Sequence, residues 1–88
     1  MIMYIKLKNI EETCFGCPTT FDGETVDGRR LYCRYRGGQM RFEIDGVVVL
    51  RFDYGERFDG SCSWEEFKEE AKCNGLLIND YEAEFITK

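Results

Sequence analysis

The chain contains no histidine, one proline and one tryptophan in 88 residues. Without histidine, the Cys–His and Ser–His pairs that activate a nucleophile cannot form. Every zinc site that uses an imidazole ligand is excluded as well. Long apolar runs are missing: no stretch approaches the about 18 residues that a membrane-spanning helix needs. The start, Met1-Ile2-Met3-Tyr4-Ile5-Lys6-Leu7-Lys8, lacks the basic region, apolar block and small-residue cleavage site of a secretory leader. The expected location is therefore cytoplasmic. No Gly-rich phosphate loop with an adjacent Lys occurs. Positive charge is also scarce, with 12 Lys and Arg against 17 Asp and Glu and a net charge of −5. That balance argues against non-specific binding to nucleic acid or to an anionic membrane.

What is present suits one folded domain spanning residues 1–88. The hydrophobic fraction is 43% and the aromatic fraction 15%, which exclude a disordered chain. A domain of this length buries roughly 60–65% of its unfolded surface, enough for one modest core. There are five cysteines. An odd number leaves at least one unpaired in the monomer, and free thiols are the expectation in a reducing cytosol.

The most informative stretch runs from Thr19 to Tyr54. Three glycine turn signals, Val26-Asp27-Gly28, Gly37-Gly38 and Asp45-Gly46, separate strand-like runs, the signature of a β-meander. Turn type follows from register. A three-residue loop with Gly28 in the left-handed region sets Glu24 opposite Arg30, Asp22 opposite Tyr32 and Phe21 opposite Cys33, so apolar residues share one face. A two-residue Asp27-Gly28 turn would set Phe21 opposite Arg34 and mix the faces. A tight Gly37-Gly38 hairpin sets Tyr35 opposite Met40, Cys33 opposite Phe42 and Leu31 opposite Ile44. After Asp45-Gly46, alternation predicts Val48, Leu50, Phe52 and Tyr54 inward, with Val49, Arg51 and Asp53 outward.

Outside the meander, Ile2 to Leu7 reads as a strand and Asn9 to Pro18 as a loop. Ser63-Trp64-Glu65-Glu66 is a capping box, and Gly75 is a stop for the helix it opens. Trp64, Phe67 and Ala71 fall at i, i+3 and i+7, a stripe that faces the sheet. Leu76 to Thr87 alternates enough for a last strand. The expected fold is α+β: an antiparallel meander of four to six strands with one short helix packed on one face.

Two constellations could carry chemistry. Cys14 and Cys17 have the spacing of a zinc knuckle, but Cys33, Cys62 and Cys73 supply no second pair, and Cys33 falls on the inward face. No metal or other cofactor is expected; if zinc were held, Cys14 and Cys17 would be the ligands. Cys14-Phe15-Gly16-Cys17-Pro18 also has the form of a redox motif. The strand-like run after Pro18 denies it the helix N-terminus that would activate the first thiol. The arginines are the sharper feature. All seven lie between Arg29 and Arg57, and the lysines lie outside that region. Arg34 is placed directly opposite Arg41, a like-charge pair. Tyr32, Arg34, Arg36, Arg41 and Arg51 share one outward face, a candidate for gripping carboxylates, phosphates or an aromatic surface. Glu24, Asp22, Glu43 and Asp53 could instead neutralise it. The helix offers a second candidate surface in Glu65, Glu66, Glu69 and Glu70.

Cys17-Pro18-Thr19-Thr20-Phe21-Asp22-Gly23, Asp27-Gly28-Arg29, Tyr32 and Arg34-Tyr35-Arg36-Gly37-Gly38 resemble a pattern in small accessory proteins of bacteriophages and prophages. Asp59-Gly60-Ser61 and Trp64-Glu65-Glu66-Phe67-Lys68 resemble the helix start of the same group. The resemblance implies a phage accessory protein and carries no catalytic residues. Small size, acidity and the missing catalytic pairs then give the expected function: a non-enzymatic, stoichiometric inhibitor of a host defence complex, anti-CRISPR-like, in the cytoplasm of the bacterial host. It would act by protein contact through the Arg/Tyr face or by nucleic-acid mimicry through the acidic helix. The alternatives are a zinc-stabilised binding module and a small nucleotide- or phosphate-binding protein. A single helix cannot cover the whole sheet, so the open face is left for a partner or for a second copy of the chain.

Overall fold

The computed structural model describes residues 3–14, 19–55 and 63–86. Five consecutive strands come first: β1 (Met3–Cys14), β2 (Thr19–Thr25), β3 (Arg30–Arg36), β4 (Gln39–Ile44) and β5 (Val47–Asp53). Helix α1 (Trp64–Cys73) and strands β6 (Leu76–Asn79) and β7 (Glu84–Ile86) follow. The seven strands form one sheet in the order β5-β4-β3-β2-β1-β6, with β7 also on β1.

The three turns set the meander as expected. Gly28, at φ 89°, closes a loop in which its own N–H donates to Thr25 O at 3.0 Å, and the Arg29 N–H donates to Thr25 Oγ1 at 2.8 Å. Gly37 and Gly38, at φ 62° and 77°, make a two-residue turn of the kind that matches strand twist. The pairings Glu24↔Arg30, Phe21↔Cys33, Cys33↔Phe42, Arg34↔Arg41 and Leu31↔Ile44 all form. Leu31, Cys33, Tyr35, Met40 and Phe42 are consequently fully buried.

Several expectations need correction. The sheet is neither four to six strands nor purely antiparallel: it has seven, and β6 and β7 run parallel to β1. Residues 9–14 are strand, not loop. Two bulges, between Leu7 and Asn9 and between Glu12 and Cys14, shift the register on β2. They break the inward spacing from Ile5 and Leu7 to Ile10, which hides the strand from a period-two reading. Opposite this bulged strand lies Gly23, where a Cβ would meet Asn9 O and Ile10 Cδ1 at 3.0 Å each. The strands close up there because glycine has no side chain. A third bulge, between Phe42 and Glu43, sets Val48 against outward-facing Glu43. Val48 is therefore exposed, and Val49 packs on the core instead.

Helix α1 starts on the expected capping box: Ser63 Oγ accepts from Glu66 N–H at 3.2 Å, and the Ser63 N–H reaches Glu66 Oε1 at 3.3 Å. It ends at Asn74 and Gly75, the latter at φ 100°. Trp64, Phe67 and Ala71 are buried against the concave sheet. Phe67 meets Phe21 and Phe42 edge to face, with ring centroids 5.3 and 5.8 Å apart, a favoured aromatic geometry. Residues of β5 and β6, which stand at opposite ends of the strand order, line one cavity with Met3 and Gly75, so the sheet curls nearly into a barrel.

β6 and β7 follow the same edge of β1, but 80–83 loop away between them, so the single last strand expected from Leu76 to Thr87 is instead two short strands. That excursion brings Asp80 to the helix. Its Oδ2 accepts from Trp64 Nε1 and lies on Lys68 Nζ, both at 2.9 Å. Burial pushes the Asp80 carboxyl up, but the Trp64 and Lys68 contacts outweigh it and hold the group below its ordinary range. A carboxylate held low stabilises the fold above its unfolded pKa of about 3.9, and that stability is lost as pH falls through the folded value. Asp80→Asn is expected to lose about 1–3 kcal/mol at neutral pH. Its urea midpoint, followed by Trp64 fluorescence, should also fall less steeply than the parent's on acidification. An equally steep fall would contradict the clamp.

Candidate functional site

The convex face of the meander arranges its side chains in rows across the strands. Pairings Glu11↔Asp22, Asp22↔Tyr32 and Tyr32↔Glu43 form one row over β1 to β4. It is acidic except for Tyr32. Pairings Thr20↔Arg34, Arg34↔Arg41 and Arg41↔Arg51 form the next row over β2 to β5. Three guanidinium-bearing residues thus stand abreast on adjacent strands, spaced about 4.8 Å apart by the sheet itself. Arg36, two residues beyond Arg34, is paired with Gln39. Of the five residues expected on this face, Arg34, Arg41 and Arg51 share a row, Arg36 lies in the next row with Gln39, and Tyr32 lies in the acidic row on the other side.

Like charges directly opposite one another destabilise a sheet. The expected neutralisation by interleaved acids is only partial. Glu43 Oε2 lies 2.9 Å from Arg41 Nε, an ion-pair distance. The N–H does not aim at the oxygen, however, so this buried nitrogen makes no hydrogen bond. Glu24 pairs with Lys8 at 3.5 Å and Asp27 with Arg29 at 3.1 Å. Among the described residues, no acidic group forms an ion pair with Arg34, Arg36 or Arg51. Asp22 does not relieve them either. Burial raises its pKa, Arg30 lowers it and neighbouring Glu11 raises it again, leaving it above the ordinary range.

Arg34, Arg36, Gln39 and Arg41 together line a cleft of about 180 Å³. Its walls are three cationic forks and one amide. Guanidinium forks match the two oxygens of a carboxylate or phosphate, so the cleft is suited to an oxyanion. Gln39 is the lining residue that the reading of the sequence missed. The signal was available, because the Gly37-Gly38 turn that pairs Tyr35 with Met40 also fixes Gln39 beside Arg36.

The acidic helix surface is less coherent. Glu66 is engaged twice, by the capping box and by the Tyr54 hydroxyl donating to Oε2 at 2.9 Å. Glu65 pairs with Lys68 at 3.1 Å. Glu69 is exposed and Glu70 half-buried, while Lys68 and Lys72 interrupt the series. Cys14 ends β1, Cys33 is buried with its thiol pushed well up by burial, and Cys73 is exposed at the helix end. Cys17, Arg57 and Cys62 lie outside the described residues. Among the described residues, no three His, Cys, Asp or Glu side chains cluster as a metal site would require, and no helix is long and apolar enough to cross a membrane. No family model matches the chain, and neither a curated protein nor a solved structure matches it.

If the arginine row costs stability, reversing one end should recover some. Arg51→Glu, which sets a carboxylate opposite Arg41, is expected to stabilise the fold by about 0.2–1 kcal/mol at low salt. The gain should shrink near 1 M NaCl, where the Debye length is about 3 Å. Urea midpoints at both salt concentrations measure it. A loss of stability at low salt would show that Arg51 is already satisfied.

Proposed function

We propose that the chain is a non-enzymatic binding protein that docks on an acidic surface of a partner protein through Arg34, Arg36, Arg41 and Arg51, with Tyr32 at the margin. One observation carries this reading: three arginines stand abreast on neighbouring strands, and among the described residues two of them have no acidic partner. A charge arrangement that weakens the fold makes sense where a partner completes it. Paired strands fix the spacing of the four Cα positions, so only the side chains themselves have to be ordered on binding. The resemblance to phage accessory proteins makes the partner a host defence complex, and a CRISPR–Cas effector its concrete form. The net charge of −5 supports a protein partner over a nucleic acid.

A second reading, a small phosphate- or nucleotide-binding protein, rests on the cleft lined by Arg34, Arg36, Gln39 and Arg41. Docking by the helix as a nucleic-acid mimic draws less support, because Glu65 and Glu66 are engaged within the fold.

The test is capture of partners from host lysate on the tagged chain, with identification by mass spectrometry. A protein retained by the parent should be lost with Arg34→Glu/Arg41→Glu and kept with Glu65→Lys/Glu69→Lys. The opposite pattern would replace this reading by mimicry through the helix. Equal retention by all three would remove the arginine face as the docking surface.

A further inference from the structure

Resting on the docking reading, we propose that the cleft of Arg34, Arg36, Gln39 and Arg41 is a subsite for one phosphate monoester on the partner protein. Arg34 and Arg36 project from β3, and Gln39 and Arg41 from β4, as two cross-strand pairs on the convex face. Together they bound a cleft of about 180 Å³. A carboxylate presents two oxygens in a plane and one negative charge, which one guanidinium fork satisfies. Three forks around one cleft exceed that need. A phosphate monoester brings three terminal oxygens and a charge of about −1.5 to −2 at neutral pH. That matches three cations, one of which already shares Glu43. The Gln39 amide N–H₂ can donate to a further oxygen. Arg41 Nε is buried and without a hydrogen bond, so Glu43 leaves that cation incompletely satisfied.

The surroundings limit the ligand to a single anionic group. The row Glu11–Asp22–Tyr32–Glu43 lies two residues along the strands from the arginine row. Asp53, on β5, stands abreast of Gln39. A chain of phosphates leaving the cleft along β3 and β4 toward Tyr32 and Glu43 would meet carboxylates, and one leaving across β4 would meet Asp53. A lone phosphoryl group on a protein side chain would not. Tyr32 is half-buried beside Arg34 and Arg41 and offers a ring to the side chain that carries the phosphate.

The experiment is a titration of the full chain followed by backbone amide NMR, with phenyl phosphate, acetate and a single-stranded oligonucleotide at matched ionic strength. Phenyl phosphate is expected to shift the amides of residues 34–41 saturably, at least tenfold more tightly than acetate. Arg36→Gln and Arg34→Gln should each weaken it about tenfold or more, as loss of a charge-assisted pair implies. The melting temperature of each variant establishes that it is folded. Equal affinity for acetate and phenyl phosphate would overturn the phosphate subsite but leave docking on a carboxylate-bearing surface intact. Tighter binding of the oligonucleotide than of phenyl phosphate would overturn it in favour of a nucleic acid. No shift in residues 34–41 with any of the three would overturn it outright, while the captured-partner experiment decides the docking reading separately.

Discussion

The structure depends on the register of β3. That strand carries Leu31, Cys33 and Tyr35 on one face and Tyr32, Arg34 and Arg36 on the other, and it sits inside the sheet between β2 and β4. A slip of one residue against either neighbour would drive three arginine or tyrosine side chains into the core and expel Cys33 and Leu31. Two backbone devices prevent it. Gly28 fixes the pairing with β2 through a bulged turn, and Gly37-Gly38 fixes the pairing with β4 through a two-residue turn. The core then follows. Phe21, Cys33 and Phe42 line up across three strands, and Phe67 and Trp64 of the helix pack on the aromatic rings at the ends of that row.

The same register that builds the core also aligns the arginines, so the core and the cationic row cannot be chosen independently. The cost of the row is electrostatic and local, a few tenths to about 1 kcal/mol for each opposed pair. The aromatic core is large enough to bear it, since burying one large apolar side chain contributes roughly 1.5–3 kcal/mol. Selection for folding alone would favour acids at Arg34 or Arg51, as at Glu43 and Asp22 one row away. Three cations abreast are what the proposed docking would use, completed by an oxyanion from outside the chain.

Much of this was legible in the sequence because turn chemistry and period-two alternation are local signals. Gly28, Gly37-Gly38 and Asp45-Gly46 were enough to pair Arg34 with Arg41 and to bury Cys33. The capping box of Ser63 and Glu66 and the stripe Trp64, Phe67, Ala71 were equally local. The failures lie where the determinant is distant or breaks the period. Extra residues in β1 displace Ile10 from the alternation of Ile5 and Leu7, so the strand looked finished at Leu7. The bulge after Phe42 turned Val48 outward for the same reason. Parallel pairing of Met3 with Leu76 and of Asn9 with Glu84 joins residues more than seventy positions apart, with no turn residue to announce it. At the candidate site the row was legible. What was not legible was how little the neighbouring acids do for it, since that depends on side-chain aim at Glu43 and on burial at Asp22, not on the presence of a carboxylate.

The central claim is that the arginine row is electrostatically unfavourable within the free protein. A double-mutant cycle on Arg34 and Arg41, each replaced by Gln, measures that directly from urea unfolding at low ionic strength. The account predicts a repulsive coupling of about 0.2–1 kcal/mol that fades as salt is added. A coupling of zero, or an attractive one, would contradict it: the two guanidinium groups would then be neutralised or stacked within the fold, and the row would need no partner.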